Sequence, residues 1–439
     1  MEIKFYTHAC FSISDNRTVL LNDPYLFGTA FNDGWDLIYE INNFKFDDNK
    51  DYFIYFSHEH PDHFSIQFLK SLSKEIRSKI TVIYQKTKDG RVKEFITKYG
   101  FKFIDLKDKK RYEFAKSFFI TIGQVPFYDS WALIEIEGKK ILNANDCILE
   151  TPERVKDIKK VTENVDILFT QYSYANWVEG GKDNKLERVK LANEKLSRIK
   201  MQFDVLSPTF IVPFASMVRF CHEENSYMND AINTPGTTVE FIEKNTSSKP
   251  YLMTPYEVWD GIKMKDNKDA KKFWNDAYTK ALKKDLIKVN KAYSLEDIEI
   301  ACNNMLRRVK EKNNYLLIFI MSFFRIIPKQ NIYITDLNKI INFSWSDGLK
   351  IITFDNSDNF VEMSSESVHF IFSFDFGIDT LNVNARFKGN LLQKKKLIRT
   401  FSLLELNNTG RYISFRGLLD ILIEPTFVKQ GLRTVGLIR

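Results

Sequence analysis

Short apolar and aromatic runs, broken by turn residues, dominate the first third of the chain. Ile3–Tyr6, Phe11–Ser14 and Thr18–Leu21 read as strands, the last two separated by a Ser-Asp-Asn-Arg turn at 14–17. Phe53–Phe56, Thr81–Tyr84 and Phe101–Asp105 continue the series. Between them, Ile66, Leu69, Leu72 and Ile76 make one helical stripe over Ser65–Ser78, and Lys88–Lys98 predicts a second helix. Phe118–Ile122, Ala132–Glu137 and Lys140–Asn143 read as consecutive antiparallel strands, with Glu137-Gly138 as a hairpin turn. Pro152–Val161 predicts a helix, Val165–Thr170 a buried strand, Leu186–Phe203 an amphipathic helix and Thr209–Pro213 another buried strand. Strands and helices interleave, yet many strands are joined as hairpins. That favours a two-sheet sandwich flanked by helices over a purely alternating βαβ fold.

The pattern changes after Pro255. Residues 263–312 are Lys-rich and helically periodic, as a solvated helical face requires. Tyr315–Ile327 is the longest apolar run, interrupted by Arg325, and is shorter than the roughly 20 residues that span a bilayer. It is expected to be a buried helix or strand. Strands return at Ile332–Ile334, Leu349–Thr353, His369–Phe374 and Leu381–Phe387. The expected organisation is a metal-binding catalytic domain over 1–260, a Lys-rich helical connector over 261–312, and a C-terminal α+β domain over 313–439.

Composition narrows the class further. Hydrophobic residues make up 44% and charged residues 28%, which excludes disorder and coiled coil for most of the chain. A net charge of +7 is mild over 439 residues and calls for no nucleic acid. Cys10, Cys147, Cys221 and Cys302 lie far apart with no CxxC pair, and the N-terminus lacks a basic start and apolar core. A reduced, cytoplasmic protein acting on a small molecule is expected, with no membrane partner. A homodimer contact through the C-terminal domain is left open.

The chemistry concentrates in Ser57-His58-Glu59-His60-Pro61-Asp62-His63. Three of the chain's 6 histidines fall here. Random placement of H-x-H-x-D-H would occur on the order of 10⁻⁴ times per chain. His58 and His60, two apart at a strand end, leave the same face, and Pro61 keeps residue 60 extended. Asp62 and His63 follow on the turn into a helix. Two imidazoles can serve one metal ion while a carboxylate and a third imidazole serve another about 3.5–4 Å away. Such ligands suit zinc, iron or manganese.

This cluster resembles the signature of the metallo-β-lactamase fold superfamily. His8-Ala9-Cys10, Asn22-Asp23-Pro24-Tyr25-Leu26 and Leu142-Asn143-Ala144-Asn145-Asp146-Cys147 stand in matching order around it. The resemblance implies an αββα sandwich with the metals at one edge, and places Asp146 where members carry a metal-bridging Asp. His222, in Cys221-His222-Glu223-Glu224, falls about where the last superfamily histidine stands, with a surface histidine as the alternative. The implied ligand set is His58, His60, Asp62, His63, Asp146 and His222, with Asp62 also orienting or accepting a proton. His8 is expected to hydrogen-bond rather than to ligate.

More specifically, residues 23–35, 128–136, 141–147, 171–177 and 213–225 resemble the catalytic domain of the CMP-N-acetylneuraminate hydroxylases and their bacterial relatives. Those hydroxylases also carry a Rieske iron–sulfur domain, and this chain has no Cys-x-His pair. No histidine occurs between positions 64 and 221, where hydrolytic members supply one; Asp129 could ligate instead, or Gln124 or Tyr128 could line an altered site. The first expectation is therefore a metal-dependent hydrolase with two divalent ions, zinc foremost and iron as the alternative. The second is a non-haem diiron monooxygenase acting on a sugar nucleotide or N-acyl sugar, which would need an external redox partner. A non-catalytic relative is the third. Tyr25, Phe27, Trp35, Trp131, Tyr172, Tyr174 and Trp177 could wall a pocket or fill the core.

Overall fold

Two strands show why the sheets form. Cys10–Ser14 and Thr18–Asn22 are buried at every position. One face of each must therefore meet a second sheet and the other a layer of helices. In the computed structural model, which describes residues 1–125, 128–289, 292–353 and 360–414, this is the arrangement found. The first seven-stranded sheet runs Val258–Trp259, Glu2–Thr7, Cys10–Ser14, Thr18–Asn22, Asp51–Tyr55, Thr81–Gln85, Lys102–Leu106. The second runs Lys249–Pro250, Phe210–Phe214, Ile167–Gln171, Lys139–Asn143, Asp129–Ile136, Phe118–Val125, Arg111–Ala115. Each sheet is part hairpin and part parallel, the parallel half beginning at Thr18–Asn22 with Asp51–Tyr55 and at Lys139–Asn143 with Ile167–Gln171.

The inner faces interdigitate. Phe11 of the first sheet stacks on Phe169 of the second, ring centroids 4.1 Å apart, and meets Phe214 edge-on at 5.7 Å. Burying each such ring contributes about 1.5–3 kcal/mol. Phe68, Leu69, Val92 and Ile96 of the helices Ile66–Ser71 and Arg91–Lys98 cover the outer face of the first sheet. Val155, Ile158, Leu196, Ile199, Val239 and Ile242, from Pro152–Thr162, Lys185–Leu206 and Pro235–Asn245, cover the second. The fold is the αββα sandwich of the metallo-β-lactamase type. The stripe over 65–78 forms two helices rather than one, because Ser65 and Ser73 each cap a separate start.

Beyond residue 260 the helices divide between two cores. Trp274 and Tyr278 of Lys268–Ala281 pack on the sandwich. Ile298, Cys302, Met305 and Val309 of Leu295–Lys312 belong to a second core around the four-stranded sheet Gly348–Ile352, Lys339–Ser344, Gln330–Ile334, Phe360–Met363. That second core also takes in Phe31, Trp35, Tyr174 and Trp177 from the N-terminal half. The strands expected near 332 and 349 are present. Those expected at His369–Phe374 and Leu381–Phe387 are not: the chain forms the helices Ser365–Ser373 and Gly377–Asn384 there. Val368, Ile371 and Phe372 bury at helical spacing, and short apolar runs of this kind fit either period. Tyr315–Phe323 is a helix, but only Ile318 and Ser322 are buried, so the expectation of a buried element is corrected. Leu316, Phe319 and Phe323 lie exposed because the run is apolar all round and only one stripe meets the core. Among the described residues no helix is long and apolar enough to cross a membrane. Positions 415–439 of the expected C-terminal domain, and Pro126 and Phe127 of the stretch before Asp129, lie outside the described residues.

Candidate metal centre

The cluster leaves the C-terminal end of Asp51–Tyr55 and turns at once. The amides of His63 and Phe64 both donate to the His60 carbonyl, at 3.0 and 2.7 Å, which folds 60–64 back and gathers His58, His60, Asp62 and His63. Asp146 arrives from the other sheet. It follows Lys139–Asn143 through Asn145, whose φ of 35° makes the turn and whose amide side chain anchors to the Ser130 carbonyl at 2.6 Å. Three overlapping groups result: His58, His60 and Asp62; His58, His63 and Asp146; His8, Asp62 and His63. His63 Nε2 stands 3.5 Å from both Asp62 Oδ2 and Asp146 Oδ1, and His58 Nε2 stands 3.8 Å from Asp146 Oδ1.

A buried network fixes which ring atoms face this space. Asp23, fully buried, accepts from Ser57 N and Ser57 Oγ at 2.8 Å each and from His63 Nδ1 at 3.0 Å. Because the Ser57 hydroxyl donates to Asp23, it accepts from His58 Nδ1 at 3.0 Å. Both rings, when neutral, then present Nε2 lone pairs inward. His8 has the opposite tautomer. Its Nδ1 accepts the Met217 amide at 3.2 Å, so its Nε2–H points at Asp62 Oδ2, also 3.2 Å. His8 therefore orients Asp62 and offers no lone pair to a cation.

Fit to a cation shows in the atoms left over. Asp62 Oδ1, His63 Nε2 and Asp146 Oδ1 are buried without a hydrogen-bond partner. Buried polar atoms in a fold are nearly always paired, and three orphans from one cluster, all metal-ligand types, match a His/Asp metal site. With His8 set aside, His58, His60 and Asp62 on one side and His63 and Asp146 on the other remain as donors, a set that suits two neighbouring ions. Electrostatics agree. Burial disfavours charge on His63, but Asp62, Asp146 and Asp23 outweigh it and raise the ring to about 10. Burial likewise opposes the Asp62 carboxylate, yet His63 and His8 hold it well below the usual range. Burial pushes His58 well below its ordinary value.

Other expected residues lie elsewhere or play different parts. Asp129 sits behind His58, 3.5 Å from Nδ1, outside the three groups, and burial together with Asp146 pushes it up to about 7. His222 does not join the cluster. The strand Val218–Phe220 pairs with Trp35–Leu37 and carries it to the second core, where its Nδ1 accepts the Glu224 amide at 3.2 Å. Burial and the nearby Arg386 lower it to about 4. A cavity of about 20 Å³, room for one water, adjoins Asp62 and Asp146 and is lined by His8, Trp35, Gln171, Tyr174 and Phe220. Of the aromatic candidates, Trp35 and Tyr174 reach it, while Tyr25, Trp131, Tyr172 and Trp177 fill cores. Sequence reasoning assigned no role to Asp23 or Lys195. Asp23 was visible only as part of a flanking motif. Lys195 meets Gln171 on the cavity wall, and burial with the nearby Arg198 lowers it to about 8.

Fold and cluster together define a metal-dependent enzyme of the metallo-β-lactamase fold. Among proteins of known name, the chain is similar to cytidine monophosphate-N-acetylneuraminic acid hydroxylases. It is 27% identical to that of Mus musculus over 62% of this chain and 49% of the relative, and 26% identical to that of Xenopus laevis over 56% and 43%. The chain thus spans about half the length of the curated relatives it matches. No family model matches. Among solved structures, the diiron β-hydroxylase CmlA of Streptomyces venezuelae aligns with a TM-score of 0.41 at 14% identity, covering 59% of this chain and 53% of CmlA. A protein from Veillonella parvula described as "a possible metal-dependent hydrolase" aligns with a TM-score of 0.40 at 14% identity, over 59% and 98%. At that distance neither bears on substrate or metal.

Proposed function

We propose that the chain is a metal-dependent monooxygenase that hydroxylates an N-acyl sugar or sugar nucleotide, with His58, His60, Asp62, His63 and Asp146 holding two iron ions. The similarity to the hydroxylases carries this reading and displaces hydrolysis, which the sequence alone had put first. Hydroxylation inserts one oxygen atom of O₂ into a C–H bond and reduces the other to water, consuming two electrons and two protons. Zinc has no redox chemistry; iron bound by histidine and carboxylate supplies O₂ activation. The electrons come from a reductase or ferredoxin-type donor that lies outside the described residues.

This chain's own residues do the rest. Asp23 and Ser57 set the His58 and His63 rings. His8 holds Asp62. Asp129, raised to about 7, can keep or release a proton beside His58 near neutrality. Lys195, on the Gln171 side of the cavity, supplies a cation for the carboxylate or phosphate of such a substrate. Trp35, Tyr174 and Phe220 give the cavity an apolar wall.

The test pairs elemental analysis with isotope labelling. Iron-loaded protein, an N-acetylated sugar nucleotide, a chemical or ferredoxin-type reductant and ¹⁸O₂ should yield a product heavier by one ¹⁸O. Zinc-bound protein that cleaves phosphodiesters or lactones, with no ¹⁸O incorporation when iron-loaded, would return the assignment to a hydrolase.

A further inference from the structure

The C-terminal half closes over the metal loop at three points. His60 Nε2 lies 2.9 Å from Asp379 Oδ2, contributed by the helix Gly377–Asn384. Arg91 bridges Glu59 at 3.2 Å to the Asn408 carbonyl at 2.8 Å. The Tyr128 hydroxyl donates to the Thr409 carbonyl at 2.8 Å. Only the first contact touches a residue of the cluster groups. Asp379 itself belongs to none of the three groups that could hold an ion, and its contact occupies one of the two ring nitrogens of His60.

We infer that Asp379 is the positioning carboxylate of His60: it takes the Nε2–H and leaves Nδ1 as the ring atom that faces a metal ion. The inference rests on the metal reading above. It gives the C-terminal half a defined part in the site. His63 receives the same treatment from Asp23 within the sandwich, but through the opposite ring atom, with Nδ1–H bonded and Nε2 inward. A metal-bound imidazole whose second nitrogen meets a carboxylate is fixed in orientation and made more basic, and loss of such a partner costs about 10–100-fold in metal affinity. The C-terminal half therefore does more than roof the site. Without it, the His60 ring would lose its hydrogen bond to Asp379 and keep only its packing against Phe31 and His58, and the group containing His58 and Asp62 would hold its third donor less firmly.

The experiment measures zinc affinity of the full-length chain by competition with a chromophoric chelator, for wild type, Asp379→Asn, Asp379→Glu and Arg91→Ala. Asp379→Asn should bind the weaker-held zinc roughly 10–100-fold less tightly, with an unchanged far-ultraviolet spectrum. Asp379→Glu should recover most of the loss. Arg91→Ala cuts a different contact between the same two halves and should bind as wild type does. In the zinc-loaded wild type, ¹⁵N-histidine spectra should show His60 protonated at Nε2 and metal-bound at Nδ1. Wild-type affinity in Asp379→Asn, an equal loss in Arg91→Ala, or zinc on His60 Nε2 would overturn the inference while leaving the metal centre standing. A wild type that binds no zinc would remove both.

Discussion

Asp23 offers the sharpest test of how the centre is built. Its carboxylate is wholly buried and accepts three hydrogen bonds, from the Ser57 amide, the Ser57 hydroxyl and His63 Nδ1. Asp23→Ala strands all three donors in a buried site. Each unsatisfied buried donor costs about 1–3 kcal/mol. With a water entering the space left behind, the sum is about 3–6 kcal/mol, a large part of the stability of an ordinary fold. Asp23→Asn is the more informative change. It keeps the volume and one acceptor oxygen, so its stability cost should be only about 1–2 kcal/mol. Its amide, however, donates where Asp23 accepts. Facing His63 Nδ1, it selects the tautomer protonated at Nε2, the atom that lies 3.5 Å from Asp62 and Asp146. The lone pair meant for a cation is then capped by a proton. Thermal unfolding of metal-stripped protein and chelator competition separate the two effects. Asp23→Ala should lower the melting midpoint far more than Asp23→Asn, and Asp23→Asn should still lose at least about 10-fold in zinc affinity. An Asp23→Asn variant that binds zinc as wild type does would refute the tautomer argument. An Asp23→Ala variant with an unchanged midpoint would refute the satisfaction argument.

Three further outcomes are expected. His60→Ala and Asp146→Ala should lose bound metal while remaining folded, since ligand removal strikes coordination more than packing; metal content equal to wild type in either would sink the ligand assignment. Arg386, whose side chain is fully buried, ties Glu224 at 2.7 Å and Glu366 to the Asn32 carbonyl at 2.7 Å, joining the two halves. Arg386→Ala leaves two carboxylates without their partner and should cost about 3–5 kcal/mol in chemical denaturation; a shift under 1 kcal/mol, on the order of a surface change, would contradict it. Burial, with Asp379 nearby, pushes Glu405 up to about 8. A folded value above the unfolded one means that its contribution is fully present below the usual carboxylate range and is lost as pH rises towards 8. Glu405→Gln should therefore match wild type near pH 4 and exceed it by at least about 1 kcal/mol above pH 8; equal pH profiles of the melting midpoint would rule this out.

The sandwich was legible because its pattern and its chemistry agree. Strands such as Val165–Thr170 and Thr209–Pro213 were readable from apolar content alone, since both faces are covered and no polar stripe interrupts them. The C-terminal half was not. Val368, Phe370 and Phe372 alternate as a strand would, while Val368, Ile371 and Phe372 also lie on one helical face. Only the packing of Ser365–Ser373 against Leu295–Lys312 decides between them. The cluster shows the same division at the level of single residues. His58, His60, Asp62 and His63, which the fold brings together, could be singled out because they are adjacent in sequence and chemically improbable together. Asp146, which the fold brings beside His58 and His63, could be singled out because its place after a strand matches a family pattern. His222 was assigned by that same pattern, and there it misled: the chain after Phe210–Phe214 turns through Ala215 and Ser216 and carries His222 into the second core. His8, more than two hundred positions earlier, stands beside Asp62 instead, its carbonyl accepting the Ala215 amide at 2.9 Å. His8, Asp23 and Asp379 share one property that explains why sequence reading gave none of them a firm role. Each acts through another residue, on Asp62, His63 and His60 respectively. A group that works through a neighbour 40, 54 or 319 positions away leaves no spacing to read, because the constraint is a shared proton and becomes visible only once the fold has brought both ends of it together.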